Sequence, residues 1–225
     1  MRSSLYAIVV ALPTAWALRI LCFGDSLTAG LVTRDQYVPY GEQLRRRIGA
    51  DTAVTSSGVV MESVHKMPAR LRRVLQESAQ PFDAIIVLGG SNDLWTGNAD
   101  AIWRSLQALH CEARAHGAAL GVATMPPFEP APMKWLERWT GCLTLTEDTR
   151  SDVNARIRTE AAASSSETFL VDLAALCDAS AAAGPLARPD GMHLDASGYE
   201  ALGDLAAAAI ASFDASNSET SHSQT

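Results

Sequence analysis

Three short stretches of this chain carry side chains that can do chemistry together: Gly24-Asp25-Ser26-Leu27, Gly90-Ser91-Asn92-Asp93 and Asp190-Gly191-Met192-His193. A serine hydroxyl becomes a nucleophile when a base accepts its proton, and acyl transfer also needs donors for the oxyanion that develops on the carbonyl. Ser26 offers the hydroxyl and His193 the base. Asp190, three residues before His193, is close enough in a turn to hold one ring nitrogen while the other faces Ser26. Asn92 offers a side-chain amide, and Gly58 a backbone N–H with no side chain to block approach. Of the other histidines, His110 and His116 fall in a helical stretch and His222 in the polar C-terminal stretch, which leaves His65, near Gly58, as the rival base. Each stretch alone also has a plain structural reading; Asp-Gly-Met-His, for instance, reads equally as a capped turn.

The fold must bring these residues to one place. Residues 20–23 form a continuous apolar run, which reads as a strand buried on both faces and stopped by Gly24. Ser26 then lies just past the carboxyl end of a central strand, where open α/β sheets bind their ligands. Further strands are expected at 53–55, 84–88, 119–123 and 169–172, with helices at about 39–48, 68–79, 99–116, 148–163 and 195–213, the last N-capped by Asp195. Strands alternating with helices predict an α/β fold: a three-layer α/β/α sandwich with a five-stranded parallel sheet in the flavodoxin-like order 2-1-3-4-5. In that order strands two and three flank strand one. The loops bearing Gly58, Ser26 and Asn92 then meet at one sheet edge, and the long loop after Asp172 returns Asp190 and His193 to it.

Composition narrows the partners. With a net charge of −7 the chain is not expected to bind nucleic acid. The clusters Arg45-Arg46-Arg47 and Arg70, Arg72, Arg73 read as solvated helix faces, since no aromatic interleaving accompanies them. Cys22, Cys111, Cys142 and Cys177 lack zinc-site spacing, and the phosphate-loop, dinucleotide and zinc-protease motifs are missing, as is the Gly-x-Ser-x-Gly elbow. No metal or organic cofactor is implied. Residues 1–17 read as a signal peptide: Arg2, an apolar stretch at 5–12 too short to span a membrane, then Ala15-Trp16-Ala17 as a cleavage pattern. That predicts secretion; the other reading is an extension packed on a cytoplasmic protein. Residues 18–214 are then the domain and 215–225 a disordered polar tail. The segment 128–147, with Trp135 and Trp139 four apart, is either a helical insertion on the core or the wall of an apolar acyl pocket.

The three motifs, in this order and each beside a strand end or the final helix, resemble the GDSL, or SGNH-hydrolase, family of serine esterases. The resemblance rests on Gly24-Asp25-Ser26-Leu27-Thr28-Ala29-Gly30, Gly90-Ser91-Asn92-Asp93 and Asp190-Gly191-Met192-His193, and runs from Leu18 to about Phe213. It implies Ser26 as nucleophile, His193 as base, Asp190 as its orienter, and Ser26, Gly58 and Asn92 as the oxyanion hole. The family often carries an Asn shortly before that glycine, where Ser56-Ser57 stands here. The implied activity is hydrolysis of a small-molecule, lipid or sugar ester through an acyl-enzyme. The alternatives are an acyltransferase or deacetylase acting on sugars or lipids, and a non-catalytic binding module, though a binder has no need of Ser, Asn, Asp and His together.

Overall fold

The computed structural model describes residues 18–96, 98–127, 143–180 and 191–222. The calls on residues 1–17, on Trp135 and Trp139 and on Asp190 lie outside them. In chain order the described strands are β1 (Arg19–Gly24), β2 (Leu31–Thr33), β3 (Gln36–Tyr37), β4 (Ala53–Gly58), β5 (Ala84–Leu88), β6 (Ala119–Ala123) and β7 (Thr168–Val171). Five of them form a parallel sheet in the order β4-β1-β5-β6-β7, and β2 and β3 form a separate antiparallel pair. With that pair set aside, the sheet has the expected 2-1-3-4-5 order.

The helices are α1 (Ser26–Ala29), α2 (Tyr40–Ile48), α3 (Met67–Glu77), α4 (Ala99–Ala115), α5 (Leu143–Ala163), α6 (Leu173–Ser180) and α7 (Ala196–His222). They make two outer layers. Successive strand side chains point to opposite faces, so β1 divides between two cores. Leu21 and Phe23 join Met67 and Leu71 of α3, Ile102 and Leu106 of α4, and Val153 and Ile157 of α5. Ile20 and Cys22 join Tyr40 and Leu44 of α2 and Tyr199, Leu202 and Ala206 of α7. Ile20, Leu21, Cys22 and Phe23 are all fully buried, which is why the run is continuously apolar. Each such Leu, Ile or Phe contributes roughly 1.5–3 kcal/mol through burial.

The structure differs from expectation in four places. Strand β4 continues through Ser56 and Ser57 to Gly58. It is an edge strand with half-exposed or exposed positions, so polar residues there do not end it. The loop expected after Ser26 holds a turn of helix and the β2–β3 hairpin. Helix α6 occupies the start of the loop after Asp172, anchored by the buried Leu173 and Ala174. Helix α7 runs on to His222, past 213 and into the stretch read as a disordered tail. Its alanines at 206–209 favour helix, and each further residue closes one more backbone bond. Ser212, Asp214 and Ser216 are exposed along it, so their polarity marks a solvated helix surface. Among the described residues no helix is long and apolar enough to cross a membrane.

Candidate active site

Strand β1 stops where it must turn out of the sheet. A Cβ on Gly24 would lie 1.9 Å from the Leu88 carbonyl oxygen of β5, so only glycine permits this approach. Asp25 follows, and its Oδ1 accepts from the Leu27 N–H at 3.0 Å, capping α1. Ser26 is therefore the first residue of a helical turn at the carboxyl edge of the sheet, 4% exposed.

His193 reaches it from the other end of the chain, with Nε2 2.9 Å from Ser26 Oγ. Its position is set by the start of α7. Asp195 Oδ1 accepts from the Gly198 N–H at 2.8 Å and from the Ser197 hydroxyl at 2.6 Å. Leu194 is buried in the second core. The Tyr199 hydroxyl donates to the Leu31 carbonyl at 3.2 Å, which ties α7 to the hairpin directly after α1. Asp190 lies outside the described residues.

Gly58 ends β4 in register with Gly24. A Cβ here would meet the Ala29 nitrogen at 2.1 Å and the Asp25 carbonyl oxygen at 2.6 Å, both backbone atoms that cannot swing away. Glycine thus lets β4 close against the turn that carries Ser26. Asn92 sits in the 3-10 turn Ser91–Thr96, which follows β5. Its Nδ2 donates to the Glu62 carbonyl at 3.0 Å, and among the described residues nothing else takes the second amide N–H. Asp93 holds the same loop: its carboxylate accepts from the Ser63 hydroxyl and, at 2.8 Å, from the Val64 N–H. The rival base His65 places Nδ1 2.7 Å from Ser63 Oγ, while it is His193 that reaches Ser26.

Arg70 corrects the sequence reading. Arg72 is exposed and pairs with Glu112, as a solvated helix face requires, but the Arg70 side chain is only 12% exposed and pairs with Glu62 at 2.7 Å. Helical spacing explains it. Arg70 is three residues after the buried Met67 and four before the partly buried Val74, so it lies in the apolar stripe of α3. A lone cation in such a stripe was the available signal. Glu62, in a loop without periodicity, offered none.

Burial pushes the Asp25 carboxyl up from 3.8 to about 7, opposed by the Leu27 N–H and reinforced by the nearby carboxylates of Asp93 and Glu62. Its Oδ2 takes no hydrogen bond from the described residues, and an unpaired buried charge costs far more than a neutral acid. The unfolded chain gives up this proton near 3.8 and the folded chain near 7. Between those values the folded state binds the extra proton, so stability falls as pH rises through that window and levels off above it. Asp25→Asn keeps an acceptor for Leu27 and cannot ionise. Thermal melts from pH 4 to pH 8 are expected to show the decline in the unsubstituted protein and its loss in the variant; parallel curves would refute the assignment.

No curated protein matches this chain. A model of the GDSL-like lipase/acylhydrolase family matches residues 22–201. The chain belongs to this family. The match takes in Ser26, Gly58, Asn92, Asp190 and His193. Solved structures agree in fold. A carbohydrate acetylesterase from Sinorhizobium meliloti superposes with a TM-score of 0.72 at 20% identity, covering 87% of this chain and 99% of its own. The inhibitor-bound aryl esterase of M. smegmatis gives 0.72 at 21% identity, covering 88% and 100%. A lipase/acylhydrolase from Enterococcus faecalis gives 0.63 at 19% identity, covering 86% and 95%. The GDSL-like fold therefore accounts for nearly the whole described chain.

Proposed function

We propose that this GDSL-like protein hydrolyses carboxylic esters through a covalent acyl-enzyme on Ser26. The observation that carries this is the 2.9 Å contact between His193 Nε2 and Ser26 Oγ at the carboxyl edge of the sheet. His193 takes the hydroxyl proton as Ser26 attacks the ester carbonyl, and Asp190 steadies the imidazolium. The N–H groups of Ser26 and Gly58 and the Asn92 amide hold the oxyanion. His193 then returns the proton to the departing alcohol. In the second half it removes a proton from water, which attacks the acyl-enzyme and frees the acid and Ser26.

A second reading, removal or transfer of acyl groups on a sugar, is supported by the fold likeness to the carbohydrate acetylesterase. The same serine chemistry serves both. A fluorophosphonate probe tests the shared step, and its adduct is expected on the peptide containing Ser26. A panel of p-nitrophenyl esters and acetylated sugars then separates the substrates. Folded protein that takes up no probe and cleaves no ester would overturn the proposal.

Secretion belongs to the same reading. If residues 1–17 are a cleaved leader, intact-mass measurement of protein from its native source should find Leu18 or a near neighbour first. An intact Met1 in a cytosolic fraction would refute it.

A further inference from the structure

We propose that Arg70 is a positioning residue for the oxyanion hole, tying together the three chain segments that carry its donors; the inference rests on the assignment of Ser26, Gly58 and Asn92 given above. Arginine has five N–H donors in a fixed planar fork, and here four of them make hydrogen bonds while the fork also pairs with the Glu62 carboxylate. Nε donates to Glu62 at 2.9 Å and 2.8 Å to its two oxygens. Nη1 donates to the Ser57 carbonyl at 3.1 Å and to the Ser57 hydroxyl at 2.7 Å. Nη2 donates to the Gly24 carbonyl at 2.8 Å and meets Glu62 Oε2 at 2.7 Å. The guanidinium also stacks on Phe23 of β1, 3.9 Å from the ring centroid.

Each acceptor lies within two residues of a donor of the hole or belongs to a residue that binds one. Gly24 lies two residues before Ser26, and its carbonyl also accepts from the Val59 N–H at 3.0 Å, which locks the end of β1 to the end of β4. Ser57 lies directly before Gly58. Glu62 supplies the carbonyl that takes the Asn92 amide at 3.0 Å. One planar group therefore sets the spacing of the Ser26, Gly58 and Asn92 segments at once, without itself touching the reacting atoms. A buried ion pair of this kind is weak as a source of stability, because desolvation offsets its Coulomb attraction. What it supplies is geometry, and oxyanion donors work only when already in place.

The test uses Arg70→Lys, which keeps the cation but not the fork, and Glu62→Gln, which keeps the shape and the backbone carbonyl but loosens the guanidinium. Each is measured for kcat and KM on a p-nitrophenyl ester, for melting temperature and for fluorophosphonate labelling. Displaced donors leave ground-state binding alone. Arg70→Lys is expected to lower kcat by about 10²-fold, the scale of an ångström of misplacement, with KM unchanged. Glu62→Gln should lower kcat in the same direction by less. Because Arg70 acts partly through Asn92, its substitution in an Asn92→Ala background should cost clearly less than in the unsubstituted protein. Retained kcat in folded Arg70→Lys, or in Glu62→Gln should the first not fold, overturns the positioning role, as does full additivity with Asn92→Ala. If the unsubstituted protein itself takes no probe at Ser26, the underlying esterase reading fails and this inference with it.

Discussion

Ser26→Ala should abolish turnover of every ester the protein accepts, with a loss on the order of 10⁶ in kcat, the usual result when a base-activated serine is removed. The size follows from the covalent route. Without Oγ there is no acyl-enzyme, and only binding and oxyanion stabilisation remain to act on direct attack by water. The fold should be indifferent. Ser26 is buried at the first position of a capped helical turn, where alanine is well tolerated, and the 2.9 Å contact to His193 is the hydroxyl bond it loses. Melting temperature, far-ultraviolet circular dichroism and probe labelling should therefore part company, the first two unchanged and the last gone. A variant that keeps a substantial fraction of activity would mean that another group attacks the carbonyl.

Asn92→Ala comes next in size, with kcat lower by ~10²–10³ and KM little changed, the cost of one oxyanion donor. Among the described residues the side chain donates one hydrogen, to the Glu62 carbonyl. Truncation removes the donor and also the tether between the β5 turn and the loop after β4. Asn92→Asp also loses both, since a carboxylate cannot donate to the Glu62 carbonyl. It sets negative charge beside a developing negative charge, so it should be worse than alanine. If KM rises while kcat holds, Asn92 contacts the bound ester and is no part of the oxyanion hole.

Both predictions concern residues legible in the sequence, and the reason is local. Residues 20–23 and 84–88 are short, continuous apolar runs ended by glycine, because each is buried on both faces in the middle of the sheet. Their ends place Ser26 and Asn92 without further information. Asp195 was readable as the cap of the last helix because capping needs only the residues just after it. What was not legible depends on contacts between distant segments. The half-exposed edge strand β4 gave no period to read, so its extension to Gly58 was missed. The β2–β3 hairpin is made of strands of three and two residues, below the length at which alternation says anything. Arg70 was grouped with Arg72 and Arg73 by sequence proximity, although a helix turns them to different faces. The partners that give it meaning, Gly24, Ser57 and Glu62, lie up to 46 residues away.

The contact between Ser26 and His193 spans 167 residues, nearly the length of the domain. The strand leading to Ser26 is the first described element, yet it takes an inner place in the sheet and needs β4 and β5 beside it. The helix that delivers His193 is the last described element of the chain. Non-local closure of this kind is slow to form. On the acyl-enzyme reading proposed above, a nascent or partly folded chain would hold Ser26 without His193 and stay chemically silent toward the acyl groups around it until the helix bearing His193 docks.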